Sequence, residues 1–133
     1  MPSIDYKINE PINAQEAISI FESSGIRRPT YDCTRIQQML EKADIIVTAW
    51  QNEEPIALAR SLTDFCYCCY LSDLAVKKEF QNKGIGKKLI ELTKSHLGDQ
   101  VKLILLAAPN AIDYYPKVGL KKYEHTFVID RKN

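Results

Sequence analysis

The segment from residue 70 to residue 88 reads Tyr70-Leu-Ser-Asp-Leu-Ala-Val-Lys-Lys-Glu-Phe-Gln81-Asn-Lys-Gly84-Ile-Gly86-Lys-Lys88. Its first half is typical of an apolar strand, and its second half begins an amphipathic helix after a glycine-containing turn. The first backbone N–H groups of a helix have no partner within it, and the helix dipole favours negative charge there. Glycine also lets the main chain approach a ligand closely. The segment therefore predicts an anion site, with a phosphate of a nucleotide-type cofactor as the natural ligand.

The composition indicates a single globular domain over residues 1–133. Hydrophobic residues make up 45% and charged residues 26% of the chain, which is enough apolar material for a core. The formal net charge of +1 gives no bulk field for recruiting nucleic acid or a membrane surface. The N-terminus has no signal-like segment, and the longest apolar run, 101–108, is too short to cross a bilayer. We therefore expect a cytoplasmic protein that binds neither nucleic acid nor membranes.

Four cysteines, Cys33, Cys66, Cys68 and Cys69, stand out in the chain. Without a secretion signal, a disulfide framework is not expected. Their spacing lacks the Cys-x-x-Cys pairs or matching histidines of a metal site. We expect reduced cysteines that fill a buried strand, and no metal site.

The order of predicted elements indicates an α/β fold with a mixed sheet and helices on both faces. Asn13 and Glu16 have the spacing of a capping box before a first helix, which Gly25 ends. Asp32 can cap a second helix, and the helix after the glycine turn closes at Gly98. A short helix is expected over residues 110–117. The seven predicted strands cover residues 4–9, 45–50, 55–62, 66–76, 101–107, 120–123 and 126–129.

The spacing of the glycine turn excludes two common phosphate motifs. A P-loop needs four residues between its glycines and a following Lys-Ser/Thr, whereas one residue separates Gly84 from Gly86. A dinucleotide fingerprint would place a third glycine at position 89, which is Leu89.

Two motifs of the chain resemble those of the GNAT family of N-acetyltransferases. Leu74-Ala-Val76, followed after four residues by Gln81-Asn-Lys-Gly-Ile-Gly86, is similar to the family's acetyl-coenzyme A motif, Gln/Arg-x-x-Gly-x-Gly/Ala. Asn110-Ala-Ile-Asp-Tyr-Tyr115-Pro-Lys-Val-Gly119-Leu120 is similar to the family's Asn-x-x-x-x-Tyr-x-x-x-Gly-Phe helix. Leu120 in place of Phe is a conservative departure, and Pro116 is tolerated in the first turn of a short helix.

This resemblance covers essentially the whole chain and implies the fold of the family. That fold is a mixed, mostly antiparallel central sheet of about seven strands, flanked by about four helices and splayed between the fourth and fifth strands. The splay would let the arm of coenzyme A pair with the fourth strand as an additional strand would.

The resemblance also implies which residues bind acetyl-CoA. The diphosphate should lie on backbone N–H groups of the glycine turn, and Asn110 should hydrogen-bond the arm from the opposite side. Gln81 can either fix the turn or reach the ligand, while Lys83 or Lys87 can add positive charge. The expected cofactor-binding residues are Leu74, Ala75, Val76, Gln81, Asn82, Lys83, Gly84, Ile85, Gly86, Lys87 and Asn110.

The implied activity is transfer of the acetyl group to a primary amine of a small molecule or peptide, by direct attack in a ternary complex. Tyr115 is the candidate general acid for the departing thiolate, since the family often uses a tyrosine there. Its neighbour Tyr114 is a competitor that we expect to face the core. The backbone N–H near Leu74 is the candidate donor to the developing oxyanion.

The general base is open at this level. Ser72 stands where some members of the family have a glutamate. Asp73 is the nearest carboxylate on the same strand and the candidate base, although it can instead bind the cationic substrate or accept backbone hydrogen bonds. Asp64, Tyr70 and ordered water are the other options.

The acceptor and the partners are less determined. In the loop over residues 25–31, Arg27 and Arg28 either clamp an acidic group of the acceptor or are solvated surface residues. An acyl-enzyme on Cys68 or Cys69 is disfavoured, because no histidine is near in sequence to activate the thiol. The alternative function is a module that senses acetyl-CoA without turnover. The last strands are candidates for a homodimer contact.

Overall fold

The computed structural model describes residues 3–132 and contains one sheet with the strand order β1-β2-β3-β4-β5. From β1 to β4, each strand pairs with the next one along the chain in antiparallel orientation, and β5 pairs with β4 in parallel orientation. Short 3-10 turns cover Lys78–Phe80 and Pro109–Ala111. The strands and helices are β1 (Asp5–Ile8), α1 (Ala14–Ser24), α2 (Cys33–Lys42), β2 (Ile45–Gln51), β3 (Glu54–Thr63), β4 (Cys68–Val76), α3 (Ile85–Leu97), β5 (Lys102–Ile104) and α4 (Tyr114–Lys117).

The helix boundaries follow the local signals in the sequence. The Asn13 side chain accepts the Glu16 backbone N–H at 2.8 Å, and the Glu16 carboxylate accepts the Asn13 N–H at 3.0 Å. Gly25, with φ +86°, ends α1 in the left-handed conformation that glycine adopts without strain. The Asp32 side chain accepts the Arg35 N–H at 3.0 Å and caps α2. The predicted capping box and both helix starts are confirmed.

The core has two layers, one on each face of the sheet. Ala57 and Ala59 of β3 pack in the cluster that contains the buried face of α3, including Leu89. Leu58, between them, packs in the cluster formed by α1 and α2, including Phe21. This alternation is the period of two expected of a strand that is covered on both faces. Helices therefore lie on both sides of the sheet, as predicted.

Strand β4 carries an irregularity and a free edge. Arg60 pairs with Asp73 while Ser61 pairs with Leu71, so Ser72 is an extra residue in β4, a β-bulge. On its other side β4 pairs with β5 only over Cys68–Tyr70. Within the described chain, the following residues of β4 have β3 on one side and no strand on the other. The sheet thus splays between the fourth and fifth strands.

The number of strands differs from the prediction, since residues 3–132 form five strands and the sequence indicated seven. Residues 120–123 and 126–129 are not in strands. Their β-branched and aromatic residues fit a pleated surface, but a strand forms only where a neighbouring edge takes its backbone hydrogen bonds. Strand β5 is also shorter than predicted, and Lys102 and Ile104 are exposed rather than covered on both faces. The splay removes the partner that a longer β5 would need.

The cysteines are free thiols, but only Cys69 is buried. The expectation of buried residues is wrong for Cys33, Cys66 and Cys68, which are exposed. Cys66 lies in the turn before β4 and Cys68 begins the strand, where the sheet covers neither side chain. Among the helices within residues 3–132, none combines the length and apolar character needed to span a membrane.

Candidate active site

The glycine turn joins the free edge of β4 to the N-terminus of α3. Gly84 is the N-cap of α3 with φ +83°, and no side chain of residues 3–132 caps the helix there. Asn82 also has a positive φ of +63°. A capping side chain therefore does not bind the first backbone N–H groups of α3, and the glycine-containing turn leaves them available to a ligand.

Gln81 holds this turn in place. Its side-chain amide donates to the Val76 carbonyl at 2.9 Å and to the Ser24 carbonyl at 3.3 Å. These bonds tie the end of β4 to the end of α1. The structure thus supports the turn-fixing role of Gln81, and its contact with a ligand stays a prediction.

The remaining residues of the turn differ in what they can offer a ligand. Ile85 is buried in the core under α3, so its contribution to a ligand is its backbone N–H. Lys83 lies over the Phe80 ring with its ammonium 5.6 Å from the centroid. The Lys87 ammonium is 4.0 Å from the Glu91 carboxylate, and both side chains are more than half exposed. Both lysines are therefore accessible positive charges beside the uncapped helix end.

Tyr114 lies against the glycine turn. We expected its side chain to face the core, which is wrong, since the residue is 37% exposed and its hydroxyl approaches Gly86. Burial raises the pKa of Tyr114, and the backbone N–H of Lys87 lowers it to a smaller extent. The ring contacts Tyr115 edge-on, with 5.2 Å between centroids. No local pattern indicates this position, because Tyr114 is the first residue of α4 and the direction of its side chain depends on tertiary packing.

Tyr115 is half-buried and packs on the same cluster as Leu74 and Val76 of β4. Burial raises its pKa most, the neighbouring Tyr114 adds to the increase, and the positive charge of Arg28 opposes it. A tyrosine with a pKa above the usual value of about 10 is protonated at neutral pH. The side chain therefore meets the protonation requirement of a general acid, and its role stays a prediction.

The backbone of Leu74, Ala75 and Val76 is paired on one side only. These residues face Ala59, Leu58 and Ala57 of β3, and the splay leaves their other edge open. An extended ligand that contains amides can hydrogen-bond to such an edge. Asn110 is exposed in the 3-10 turn that follows β5, the strand on the other side of the splay.

Asp73 is fully buried between two arginines. Arg60, also buried, donates from Nε to Asp73 Oδ2, and Arg28 donates from Nε to Oδ1 at 2.5 Å. Because both carboxylate oxygens hold guanidinium groups, the geometry favours a positioning role for Asp73 over that of a base. Sequence reasoning missed Arg60, although an arginine within the apolar strand 55–62 requires a buried partner.

Arg28 is fixed on the bulge of β4. Its Nη2 donates to the Ser72 carbonyl at 2.8 Å, and its Nη1 donates to the Arg27 carbonyl at 2.5 Å. Ser72 is the bulged residue of β4. Of the two arginines in the loop, Arg27 is exposed, whereas Arg28 is held at the site by Asp73 and Ser72.

The other two candidate bases occupy different positions. Asp64 is exposed and accepts the backbone N–H groups of Cys66, Tyr67 and Cys68 at 2.9, 2.8 and 3.1 Å. These hydrogen bonds hold the pKa of Asp64 well below its usual range. Asp64 therefore stabilises the turn before β4. Tyr70 is 39% exposed where β4 pairs with Ile104 of β5.

Residues 14–130 match the family model described as an acetyltransferase (GNAT) domain. GCN5-related N-acetyltransferase 1, chloroplastic, from Arabidopsis thaliana is 27% identical over 119 residues, which are 85% of this chain and 58% of the relative. The chain thus spans less than two thirds of that relative.

Solved structures share the fold at low sequence identity. A protein from meticillin-resistant Staphylococcus aureus, described as a probable acetyltransferase, has a TM-score of 0.84 at 18% identity, with 98% of this chain and 100% of that chain covered. The aminoglycoside N-acetyltransferase AAC(6′)-Iy in complex with CoA has a TM-score of 0.68 at 13% identity, with 100% and 97% covered. Since the family model spans most of the residues that build the sheet and the glycine turn, the chain belongs to the GNAT acetyltransferase family.

Proposed function

We propose that this chain binds acetyl-CoA along β4 and the glycine turn and transfers the acetyl group to a primary amine. The observation that carries the proposal is the direct continuity between an open strand edge and an uncapped helix N-terminus. A ligand with an amide-containing arm followed by a diphosphate matches those two features in that order. The CoA bound to AAC(6′)-Iy, a protein with the same fold, supports this ligand.

Different residues of the chain would bind different parts of acetyl-CoA. Backbone N–H groups from Asn82 to Lys87 bind the diphosphate, and Lys83 and Lys87 add positive charge. Leu74–Val76 pairs with the arm, and Asn110 hydrogen-bonds it from the loop after β5. At Gly84 a Cβ would meet no atom within 4 Å, so the turn is open on the side where a ligand would lie.

Each group at the splay has a separate role in the proposed reaction. Bound acetyl-CoA supplies a thioester carbonyl for the amine to attack and a sulfur that leaves as a thiolate. The backbone N–H near Leu74 donates to the carbonyl oxygen as negative charge develops there. The Tyr115 hydroxyl donates its proton to the departing sulfur.

The amine must lose a proton before it can attack. An alkyl ammonium has a pKa of about 10.4, so only a small fraction is neutral at pH 7. Asp73 has both oxygens bound to arginines, so in this proposal the proton leaves to water and Asp73 positions Arg28. No step passes through a cysteine.

The test combines binding and turnover. We expect calorimetry to detect binding of acetyl-CoA and competition by desulfo-CoA. With an amine panel and detection of free thiol, Tyr115→Phe should reduce kcat about 100-fold, while its Kd for acetyl-CoA stays within about twofold of the parent value. Tyr123→Phe, in the exposed C-terminal region, is the matched control and should leave kcat unchanged.

The other outcomes are equally informative. Absence of heat with saturating acetyl-CoA would overturn the proposal. Tight binding with no turnover of any amine would favour the alternative function, a sensor of acetyl-CoA. Full activity of Tyr115→Phe would retain the transferase and remove Tyr115 as the general acid.

The partner that fits the C-terminal residues 121–132, here called the C-terminal arm, is a second copy of this chain. The arm exposes the apolar side chains of Phe127 (91%), Val128 (60%) and Ile129 (99%). Its residues make no backbone ladder with the described part of the chain, and the outer edge of β5 likewise has no strand beside it. If two copies exchanged arms, each arm would pair with the outer edge of β5 in the other copy. The apolar side chains of both arms would then be covered.

A further inference from the structure

The cluster of Arg28, Asp73 and Arg60 carries more positive than negative charge. Among residues 3–132, Asp73 is the one carboxylate that forms an ion pair with either arginine. Two guanidinium groups and one carboxylate leave an excess of one positive charge, because arginine is always protonated. A partly buried excess charge is unfavourable unless water or an anion compensates it.

The excess charge reaches the surface at Arg28. The side chain of Asp73 is 0% exposed and that of Arg60 is 8% exposed, whereas that of Arg28 is 25% exposed. Among these three side chains, Arg28 is therefore the most accessible to an anion. The pairing with Asp73 keeps the guanidinium in one orientation, so little conformational entropy is lost when a ligand binds.

Arg28 retains hydrogen-bonding capacity for such an anion. A guanidinium has five N–H donors, and the described chain engages three of them, through Nε with Asp73, Nη2 with Ser72 and Nη1 with Arg27. One N–H remains on each terminal nitrogen. Carboxylate and phosphate groups are the ligands that accept hydrogen bonds from paired guanidinium nitrogens most strongly.

The position of Arg28 connects this charge to the reacting groups. It binds the carbonyl of Ser72, two residues before Leu74, whose backbone N–H region is the proposed oxyanion donor. The charge of Arg28 also acts on the phenol of Tyr115, the proposed general acid. The guanidinium thus lies on the strand that carries the proposed oxyanion donor.

We propose that Arg28 binds an anionic group of the acceptor, so that the acceptors are small amines that also carry a carboxylate or a phosphate. The inference rests on the proposed transferase function and specifies its substrate class. The cluster would repel acceptors with several positive charges, the class to which aminoglycosides belong. The expected acceptors of this chain therefore differ from aminoglycosides, after which AAC(6′)-Iy, a protein with the same fold, is named.

The experiment uses paired acceptors with and without the anionic group, and kcat/KM is expressed per neutral amine because removing the anionic group also lowers the pKa of the amine. Glycine, β-alanine and γ-aminobutyrate are compared with their amides, which separates charge from chain length, and phosphoethanolamine is compared with ethanolamine. For the best spacing we expect kcat/KM to favour the anionic member at least about tenfold. A larger ratio for the phosphate pair than for the carboxylate pairs would identify phosphate as the anion.

Variants test whether Arg28 is the source of the preference. Arg28→Gln should bring the anionic-to-neutral ratio of kcat/KM close to one. Arg28→Lys keeps the charge without the paired donors and should retain part of the ratio. Arg27→Gln, in the adjacent exposed residue, is the matched control and should keep the full ratio. Melting temperatures show which variants are folded.

A binding readout makes the result independent of turnover. With acetyl-CoA present, the Nε–H resonance of Arg28 in ¹⁵N-labelled parent protein should shift on titration with the anionic member and not with its amide. Equal ratios for all pairs, a preference that survives Arg28→Gln, or no response at Arg28 to any anionic amine would overturn the inference. Calorimetry with acetyl-CoA alone separates these results from failure of the proposed function, since the cofactor contacts proposed above do not include Arg28.

Discussion

A Cβ atom on Gly86 would lie 2.9 Å from the hydroxyl oxygen of Tyr114. The next nearest atoms, on the Tyr114 ring and on Leu74, are 3.8 and 3.9 Å away, at ordinary contact distance. The steric constraint on residue 86 thus comes from one hydroxyl group. That hydroxyl also lies near the Lys87 backbone N–H, among the donors proposed to bind the diphosphate.

This relationship predicts a coupling between residues 86 and 114. Gly86→Ala should lower the melting temperature of the parent protein, because the added methyl group displaces the Tyr114 hydroxyl. In the background of Tyr114→Phe the same substitution should be neutral or stabilising, since alanine favours a helix over glycine. The coupling free energy from a double-mutant cycle in urea should be about 1 kcal/mol. An identical effect of Gly86→Ala in both backgrounds would contradict the contact.

Asp73 provides a test of positioning against base catalysis. Asp73→Asn removes the compensating charge from the buried Arg60 and should destabilise the fold by about 3–5 kcal/mol in urea denaturation. Ser72→Ala, which loses a hydrogen bond of 3.1 Å to Arg60, is the neighbouring control and should cost about 1 kcal/mol. If Asp73→Asn instead keeps its stability and loses activity, Asp73 acts as the base.

The features that the sequence predicted well are those set by neighbours in the chain. Asn13 and Glu16 are three residues apart and cap each other. The start of α3 at Gly84 was predictable because it depends on the conformation of the neighbouring backbone alone. No local pattern indicates the splay of the sheet, which was predicted from the resemblance to the GNAT family. The short pairing of β4 with β5 confirms it.

The features that were missed depend on partners far along the chain. Arg28 and Asp73 are 45 residues apart, and the β-bulge at Ser72 that brings Arg28 onto β4 is set by the register with β3. The sequence therefore did not show that two arginines hold Asp73. The strand predicted over residues 126–129 is wrong, because an apolar pattern does not show whether a sheet edge is available to pair with.

Asp64 predicts a dependence of stability on pH. Hydrogen bonds from the backbone of Cys66, Tyr67 and Cys68 lower its pKa in the folded state, whereas in the unfolded chain the pKa is about 3.9. The folded state therefore binds this proton less tightly, so the charge of Asp64 stabilises the protein above about pH 4 and the contribution is lost as the pH falls. The melting temperatures of the parent and Asp64→Asn should differ most at neutral pH and converge below pH 4. A difference that does not change with pH would contradict this assignment.

The C-terminal arm predicts the oligomeric state. If a second copy covers Phe127 and Ile129, which share one face of an extended segment, the parent should elute with about twice the mass of the 15.2 kDa chain in light scattering. A charge on that face should dissociate the dimer, so Phe127→Asp and Ile129→Asp should be monomers. Thr126→Asp places the same charge in the same arm outside that face and should remain dimeric. A monomeric parent whose arm amides are protected from hydrogen exchange would show that the arm folds back onto its own β5, because only pairing within one copy would then account for the protection.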